Sequence, residues 1–150
     1  MFRWPALAAA VLIPLVTACD DDPTEPVPVN LTGTWSLTRI ELVSTENPLI
    51  RVDMIDEGVT ATLVLAAGGD YSLTLVDPVE GTETLAGDWT HTDTLILECL
   101  SGGFAGTTWE FQVEVRNGVL ELTGADGQYD FDDDGEEDPA ILNLTAVRVG

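Results

Sequence analysis

From residue 31 onward, apolar and polar residues alternate in short stretches, and no stretch keeps a helical period. Turn-forming residues separate these stretches about every 8 to 14 residues, a spacing typical of antiparallel β-domains. In the clearest stretch, TTWEFQVEV, every second residue from Trp109 to Val115 is apolar and belongs to one face of a strand. It ends at Asn117-Gly118, a strong signal for a two-residue hairpin turn. The pattern therefore predicts an all-β domain.

Eight strands are predicted, and short connections with one apolar face per strand favour an antiparallel up-and-down eight-stranded barrel, because closure removes exposed sheet edges. The apolar phase of the first strand slips between Leu37 and Ile40, which predicts a bulge at about Arg39. The longest connection, residues 44–58, contains Pro48 and is expected to carry a short helix or to cover one mouth of the barrel. The predicted strands are 33–43, 59–66, 70–76, 82–91, 94–100, 107–116, 119–123 and 140–149.

The N-terminus has a different pattern, with a short cationic start followed by the apolar run Ala6 to Val16. This run has the length of a signal-peptide core and is too short to span a bilayer. The next residues, Val16-Thr17-Ala18-Cys19, resemble the lipobox of bacterial lipoproteins. The resemblance implies cleavage after residue 18, a diacylglycerol on Cys19 and anchoring to a membrane outside the cytoplasm. The sequence does not determine the leaflet. An ordinary secretory peptide cleaved after Ala18 is the alternative.

Residues 19–30 combine the cysteine with alternating prolines and acids, which predicts an extended linker before a domain of residues 31–150. The chain has 27 acidic residues, five arginines and a formal net charge of −22. This charge repels phosphate backbones and anionic lipid headgroups, so nucleic acid is not an expected partner.

The opening of the domain, LTGTWSLTRI, is similar to the Gly-x-Trp start of lipocalin-like domains of bacterial envelope lipoproteins. The stretches GGDYSLTL, LAGDWTHTDTLIL and VRNGVLELT fit the rhythm of that family. In lipocalins the tryptophan of the first strand packs under a basic residue from near the end of the barrel. The resemblance therefore implies a contact between Trp35 and Arg148 that plugs the closed end, whereas an arginine that points to solvent is the alternative.

The same resemblance implies that the barrel interior holds a small apolar ligand. The candidate ligand contacts are inward-facing aromatic residues, namely Tyr71, Trp89, Trp109 and Phe111. Large inward side chains also favour a filled barrel, although small residues such as Gly87 leave room locally. The residues alone leave a hollow and a filled interior open.

One acidic stretch, YDFDDDGEEDP, has metal-ligand spacing. Calcium takes six to eight oxygen ligands, and side chains at alternate positions of a tight loop can supply them. The candidate ligands are Asp130, Asp132, Asp134, Glu136 and Asp138. Their spacing resembles calcium loops of integrin propellers and thrombospondin-type repeats, but it lacks the final glutamate and the helices of an EF-hand. A solvated acidic turn is the alternative to a structural calcium site.

Catalysis is not expected. His91 is the only histidine, and Cys99 is the only cysteine apart from Cys19. The chain therefore offers few candidates for the base of a nucleophilic site and too few ligands for a zinc site. Phosphate-loop and dinucleotide fingerprints are missing from the sequence. Two function classes remain, namely a barrel that binds a small apolar ligand and a calcium-stabilised structural or protein-interaction module of the cell envelope with a filled barrel.

Overall fold

The computed structural model describes residues 30–149, so Cys19 and the predicted leader and most of the linker lie outside the described residues. Leu31–Gly150 is one compact unit. All regular structure in the described part is β. Its nine strands are β1 (Gly33–Ser44), β2 (Arg51–Asp53), β3 (Thr60–Leu65), β4 (Asp70–Asp77), β5 (Gly81–His91), β6 (Thr94–Ser101), β7 (Thr108–Arg116), β8 (Val119–Tyr129) and β9 (Asp138–Val149).

The strands form one antiparallel sheet that closes on itself. From β3 to β9 each strand pairs with the next, and β9 pairs back onto β1. The first half of β1 pairs with β3, and its second half pairs with the short strand β2. Eight strands therefore make a closed up-and-down barrel, and this closure removes the free edges of the sheet. The short strand β2 is additional to these eight.

The predicted fold class is confirmed, and all eight predicted strands are present. The connection after β1 carries the strand β2 and no helix, so the helix, one of the two alternatives for this connection, is wrong. The seventh predicted strand, β8 here, was expected to end at residue 123, whereas the strand continues to Tyr129. It continues because a register shift between Leu122 and Ala125 restores pairing with β9 beyond Gly124, which has φ 90°.

The irregularity in β1 changes which residues face inward. The register with β9 shifts between Leu37 and Arg39, so Thr38 is the extra residue. Trp35 and Leu37 are buried before the shift, and Ile40 and Leu42 are buried after it. The predicted bulge is therefore present one residue earlier than expected, and it keeps both halves of a twelve-residue strand in the core.

The two ends of the barrel differ in their connections. The closed end contains the tight turns, including Asn117-Gly118, where both residues have positive φ as a two-residue hairpin turn requires. The other end, called the mouth here, contains four connections: 45–59, 78–80, 102–107 and 130–137.

Candidate functional site

A cavity of about 510 Å³ occupies the mouth half of the barrel. Its inner wall consists of aliphatic side chains that alternate inward along β4, β5 and β9. Leu73, Leu75, Leu85, Leu142 and Leu144 are among them. The lining continues outward to residues of the mouth connections, so the cavity opens to solvent at that end. Its volume lies within the range of small-molecule pockets, about 300 to 1,000 Å³.

Two of the four predicted ligand contacts line this cavity. Trp109 and Phe111 stand on neighbouring inward positions of β7 and are almost fully buried. Phe104, from the connection between β6 and β7, packs against Trp109 with ring centroids 5.8 Å apart and planes tilted by 59°. Phe104 is 48% exposed and stands at the entrance. The sequence did not indicate Phe104, because a lone aromatic residue in a glycine-rich loop shows no periodicity.

The other two predicted contacts lie outside the cavity lining. The indole nitrogen of Trp89 donates to the carbonyl of Ala66 at 2.9 Å, which ties β5 to the turn between β3 and β4 at the closed end. Tyr71 is buried, and its hydroxyl has no hydrogen-bond partner within residues 30–149. Burial raises the pKa of Tyr71, and the Cys99 thiol raises it further. Tyr71 and Cys99 occupy the two positions that flank Gly87 across the sheet, so both belong to the packed half of the barrel.

The cavity entrance is acidic. Asp77, Glu80, Glu83 and Glu137 line it. The backbone N–H groups of Glu80 and Val79 donate to Asp77 at 2.9 and 2.7 Å and lower the pKa of this carboxyl. Glu83 accepts a hydrogen bond of 2.7 Å from the backbone of Gly103, which ties β5 to the loop that carries Phe104. Asp77, Glu80 and Glu83 belong to the single hairpin of β4 and β5, and barrel closure adds Glu137 from the connection before β9.

The closed end is sealed by the predicted pair. Arg148 lies over Trp35, with its guanidinium carbon 4.2 Å from the ring centroid. Arg148 also donates to the carbonyl of Thr32 at 2.7 Å, and the Trp35 indole donates to the carbonyl of Leu31 at 2.8 Å. A Cβ atom at Gly33 would lie only 2.5 Å from the guanidinium, and Gly33 has φ 138°. The Gly-x-Trp sequence thus leaves room for the arginine and provides the ring on which it stacks.

Three of the five predicted metal ligands converge in the loop between β8 and β9. Carboxylate oxygens of Asp130, Asp132 and Asp138 all lie within 4.8 Å of one another. Asp134 and Glu136 do not join this group. Instead, the Asp134 carboxylate accepts a hydrogen bond of 2.8 Å from the backbone of Glu136.

The electrostatics of this loop are unfavourable for its carboxylates. The N–H of Asp134 donates to Asp132 and by itself lowers the pKa of that carboxyl. Desolvation and the charges of Asp134, Asp138 and Asp130 act the other way, and together they raise the pKa of Asp132. Such mutual repulsion between carboxylates is what a bound cation relieves.

A second acidic site lies on the outer face of β1 and was not predicted. Glu41 is 6% exposed and forms ion pairs with Arg39 and Arg51, the latter at 3.2 Å. Asn143 donates to the same carboxylate at 3.4 Å. A buried carboxylate needs such partners, so these two arginines belong to the support of β1.

Within residues 30–149, no helix is long and apolar enough to cross a membrane. The eight-stranded antiparallel barrel, with one end plugged and a cavity at the other, is consistent with a lipocalin-like fold. No protein-family model matches the chain. A comparison with curated proteins also finds no significant match.

Proposed function

We propose that the protein is a non-catalytic binding protein that holds a small apolar ligand inside the mouth half of its barrel. The cavity of about 510 Å³, with its aliphatic wall and its one open end, is the observation that supports this function. A ligand that enters transfers apolar surface from water to this wall, which contributes about 25 cal/mol per Å². The packed half, sealed by Trp35 and Arg148, forms the floor.

The test is native mass spectrometry of residues 20–150, which contain the whole compact unit, after purification without detergent. A co-purified small molecule supports the proposal. The cavity-filling variant Leu75→Trp should lose that molecule, whereas Ser36→Trp, on the outer face of β1, should keep it. A bare protein mass in repeated preparations, together with no binding of apolar fluorescent probes, contradicts the proposal.

The proposed location is the bacterial cell envelope, where acyl chains on Cys19 attach the protein to a membrane. The lipobox resemblance supports this location, and two or more acyl chains anchor a protein stably. In the native host, labelled palmitate should enter the full chain, and Cys19→Ser should abolish labelling and move the protein out of the membrane fraction. Unlabelled wild type, or unchanged fractionation of the variant, contradicts the tether.

A second candidate function is a calcium-stabilised structural or interaction module. The convergence of Asp130, Asp132 and Asp138 favours it. Extracellular calcium modules bind with Kd on the order of 0.1–1 mM. An excess of 10- to 100-fold over Kd would stabilise the domain by about 1.4 to 2.7 kcal/mol and raise Tm by several degrees.

Calcium titration against Tm tests this candidate. Asp132→Asn should abolish the rise in Tm. Asp133→Asn is the matched control, because residue 133 lies in the same loop outside the converging group and its φ of 59° suits asparagine. Equal shifts in the two variants, or no shift in the wild type, contradict a calcium site.

A further inference from the structure

We infer that the cavity is built for an amphiphile with a cationic headgroup, whose apolar part lies inside the barrel and whose charge lies among the carboxylates of the entrance. This inference rests on the proposed ligand-binding function and specifies the class of ligand. It follows from the order of residues along the cavity, from the position of the arginines, and from the use of the backbone donors at the entrance.

The lining changes from apolar to acidic along individual strands. On β4 the inward positions are Leu73, Leu75 and then Asp77, where the strand ends at the mouth. On β5, which starts at the mouth, Glu83 precedes Leu85 on the same face. Because inward positions alternate strictly along a strand, these carboxylates belong to the same wall as the leucines. The cavity therefore has an apolar interior and a negative entrance, which matches a molecule with an apolar body and one charged end.

No cationic side chain among the described residues lines the cavity. The chain has no lysine. Arg39 and Arg51 pair with Glu41 on the outer face of β1, and Arg116 pairs with Glu114 at 2.6 Å. Arg148 lies over Trp35 at the closed end. A carboxylate or phosphate headgroup at the entrance would thus meet four carboxylates and no arginine.

Backbone donors at the entrance are also occupied by these carboxylates. The N–H groups of Val79 and Glu80 donate to Asp77, and the N–H of Gly103 donates to Glu83. These are groups that would otherwise bind an anion. Their use inside the protein removes three donors that an anionic headgroup could otherwise have used.

The entrance carboxylates do not form a compact metal cage. Within residues 30–149, the one group of three carboxylates with oxygens inside 4.8 Å of one another is in the loop 130–138, and Asp77, Glu80 and Glu83 do not belong to it. A divalent ion needs oxygens gathered at 2.3–2.6 Å from itself. Spread charges of this kind suit a larger organic cation, such as an amine or a quaternary ammonium group, next to an apolar wall.

Three probes with alkyl chains of nine or ten carbons test the inference on residues 20–150 by calorimetry, below their micellar concentrations and at mildly alkaline pH. Decyltrimethylammonium carries a positive headgroup, dimethyldecylamine oxide a neutral one of similar shape, and decanoate a negative one. We expect one site per chain and binding of the cation about three- to tenfold tighter than of the neutral probe, with decanoate weakest. Added salt should reduce this preference.

The decisive variant is Glu80→Gln with Glu137→Gln, because neither side chain accepts a hydrogen bond within the described residues and the fold should persist. It should bind the cation more weakly and the neutral probe unchanged. The matched control, Glu98→Gln with Glu121→Gln, removes two outward carboxylates and should retain the preference of the wild type. Tetramethylammonium, which has no chain, should not bind measurably.

The outcomes separate this inference from the function on which it rests. If the neutral probe binds and the cation binds no tighter, or decanoate binds tightest, the cationic class is wrong and the binding function stands. If both double variants weaken cation binding equally, the preference comes from the overall charge and the inference fails. If none of the three probes binds, both proposals fail.

Discussion

The two ends of the barrel use the same strands for opposite purposes. At the closed end Trp35 is fully buried, its indole N–H is bonded, and Arg148 covers its ring. At the mouth Phe104 is 48% exposed, Val79 is 89% exposed, and a cavity lies below. Close packing provides stability, and function needs space that packing would fill. A substitution should therefore affect stability at the closed end and binding at the mouth.

Removing an aromatic ring should give the largest contrast between the ends. Trp35→Ala leaves a cavity in a fully packed region and removes the platform for Arg148, so it should lower the free energy of unfolding by about 3 to 5 kcal/mol. Phe104→Ala removes an exposed ring and should lower it by less than about 1 kcal/mol while weakening probe binding. Denaturant unfolding measures both. A larger loss of unfolding free energy in Phe104→Ala than in Trp35→Ala would contradict a closed end that stabilises the fold and a mouth that binds ligand.

Glycine substitutions give a smaller and more selective contrast. Gly33 and Gly81 both have positive φ, at 138° and 102°. An added Cβ at Gly33 would clash with Arg148, whereas one at Gly81, at the mouth, meets nothing within 4 Å. Gly81→Ala should cost about 1 to 2 kcal/mol from backbone strain alone, and Gly33→Ala should cost about 1 to 2 kcal/mol more. Equal losses of stability would show that Arg148 moves away freely.

The sequence predicts features that depend on interactions between residues close in the chain better than features that depend on distant ones. Alternation and turn pairs are local, so the strands, the hairpin at Asn117-Gly118 and the bulge in β1 were predictable within a residue or two. The extension of β8 beyond Gly124 was not predictable, because Gly124, Gly127 and the polar residues around them hide the alternation, and only pairing with β9 continues the strand.

The site was less predictable than the fold for the same reason. The alternation within each strand predicts that Tyr71, Trp89, Trp109 and Phe111 point inward. The height of each side chain inside the barrel depends instead on the stagger between strands, and this decides which of them line the cavity. The entrance is assembled from four connections that are distant in sequence. An up-and-down order places alternate connections at one end, but it does not fix which of their side chains border the interior, so Asp77 and Glu137 were not recognised as neighbours of one cavity.

Removing a buried hydroxyl should have a modest effect of the opposite sign. The Tyr71 hydroxyl is buried without a partner in the described part of the chain, so Tyr71→Phe should stabilise the protein by about 1 kcal/mol. Tyr129→Phe, near the mouth, is the control and should change little. A loss of stability in Tyr71→Phe would show that the hydroxyl has a partner, such as the Cys99 thiol or a buried water.

The raised pKa of Tyr71 gives this pair of variants a pH signature. The unfolded tyrosine ionises near its ordinary value of 10.0, whereas the folded one stays protonated to higher pH. The unfolded state therefore loses its proton first, and stability falls as pH rises above 10. The stability of Tyr71→Phe should fall less steeply than that of the wild type in that range, and Tyr129→Phe is the control for the loss of one tyrosine.

The smallest expected effect concerns a single carboxylate of the entrance. Backbone donors from Glu80 and Val79 lower the pKa of Asp77 below its ordinary value of 3.8, so its charge contributes stability above that pH and loses it as pH falls through the folded pKa. Asp77→Asn keeps an oxygen for both donors and removes only the charge, so it should be slightly less stable than the wild type near neutrality. The difference should vanish in strong acid. Asp93→Asn, in a closed-end turn, is the control for the loss of one carboxylate. Asp77 also lines the cavity, so Asp77→Asn should lose part of the preference for a cationic probe. If Asp77→Asn changes stability in acid but leaves this preference unchanged, Asp77 stabilises its turn and does not contribute to binding of the cationic headgroup.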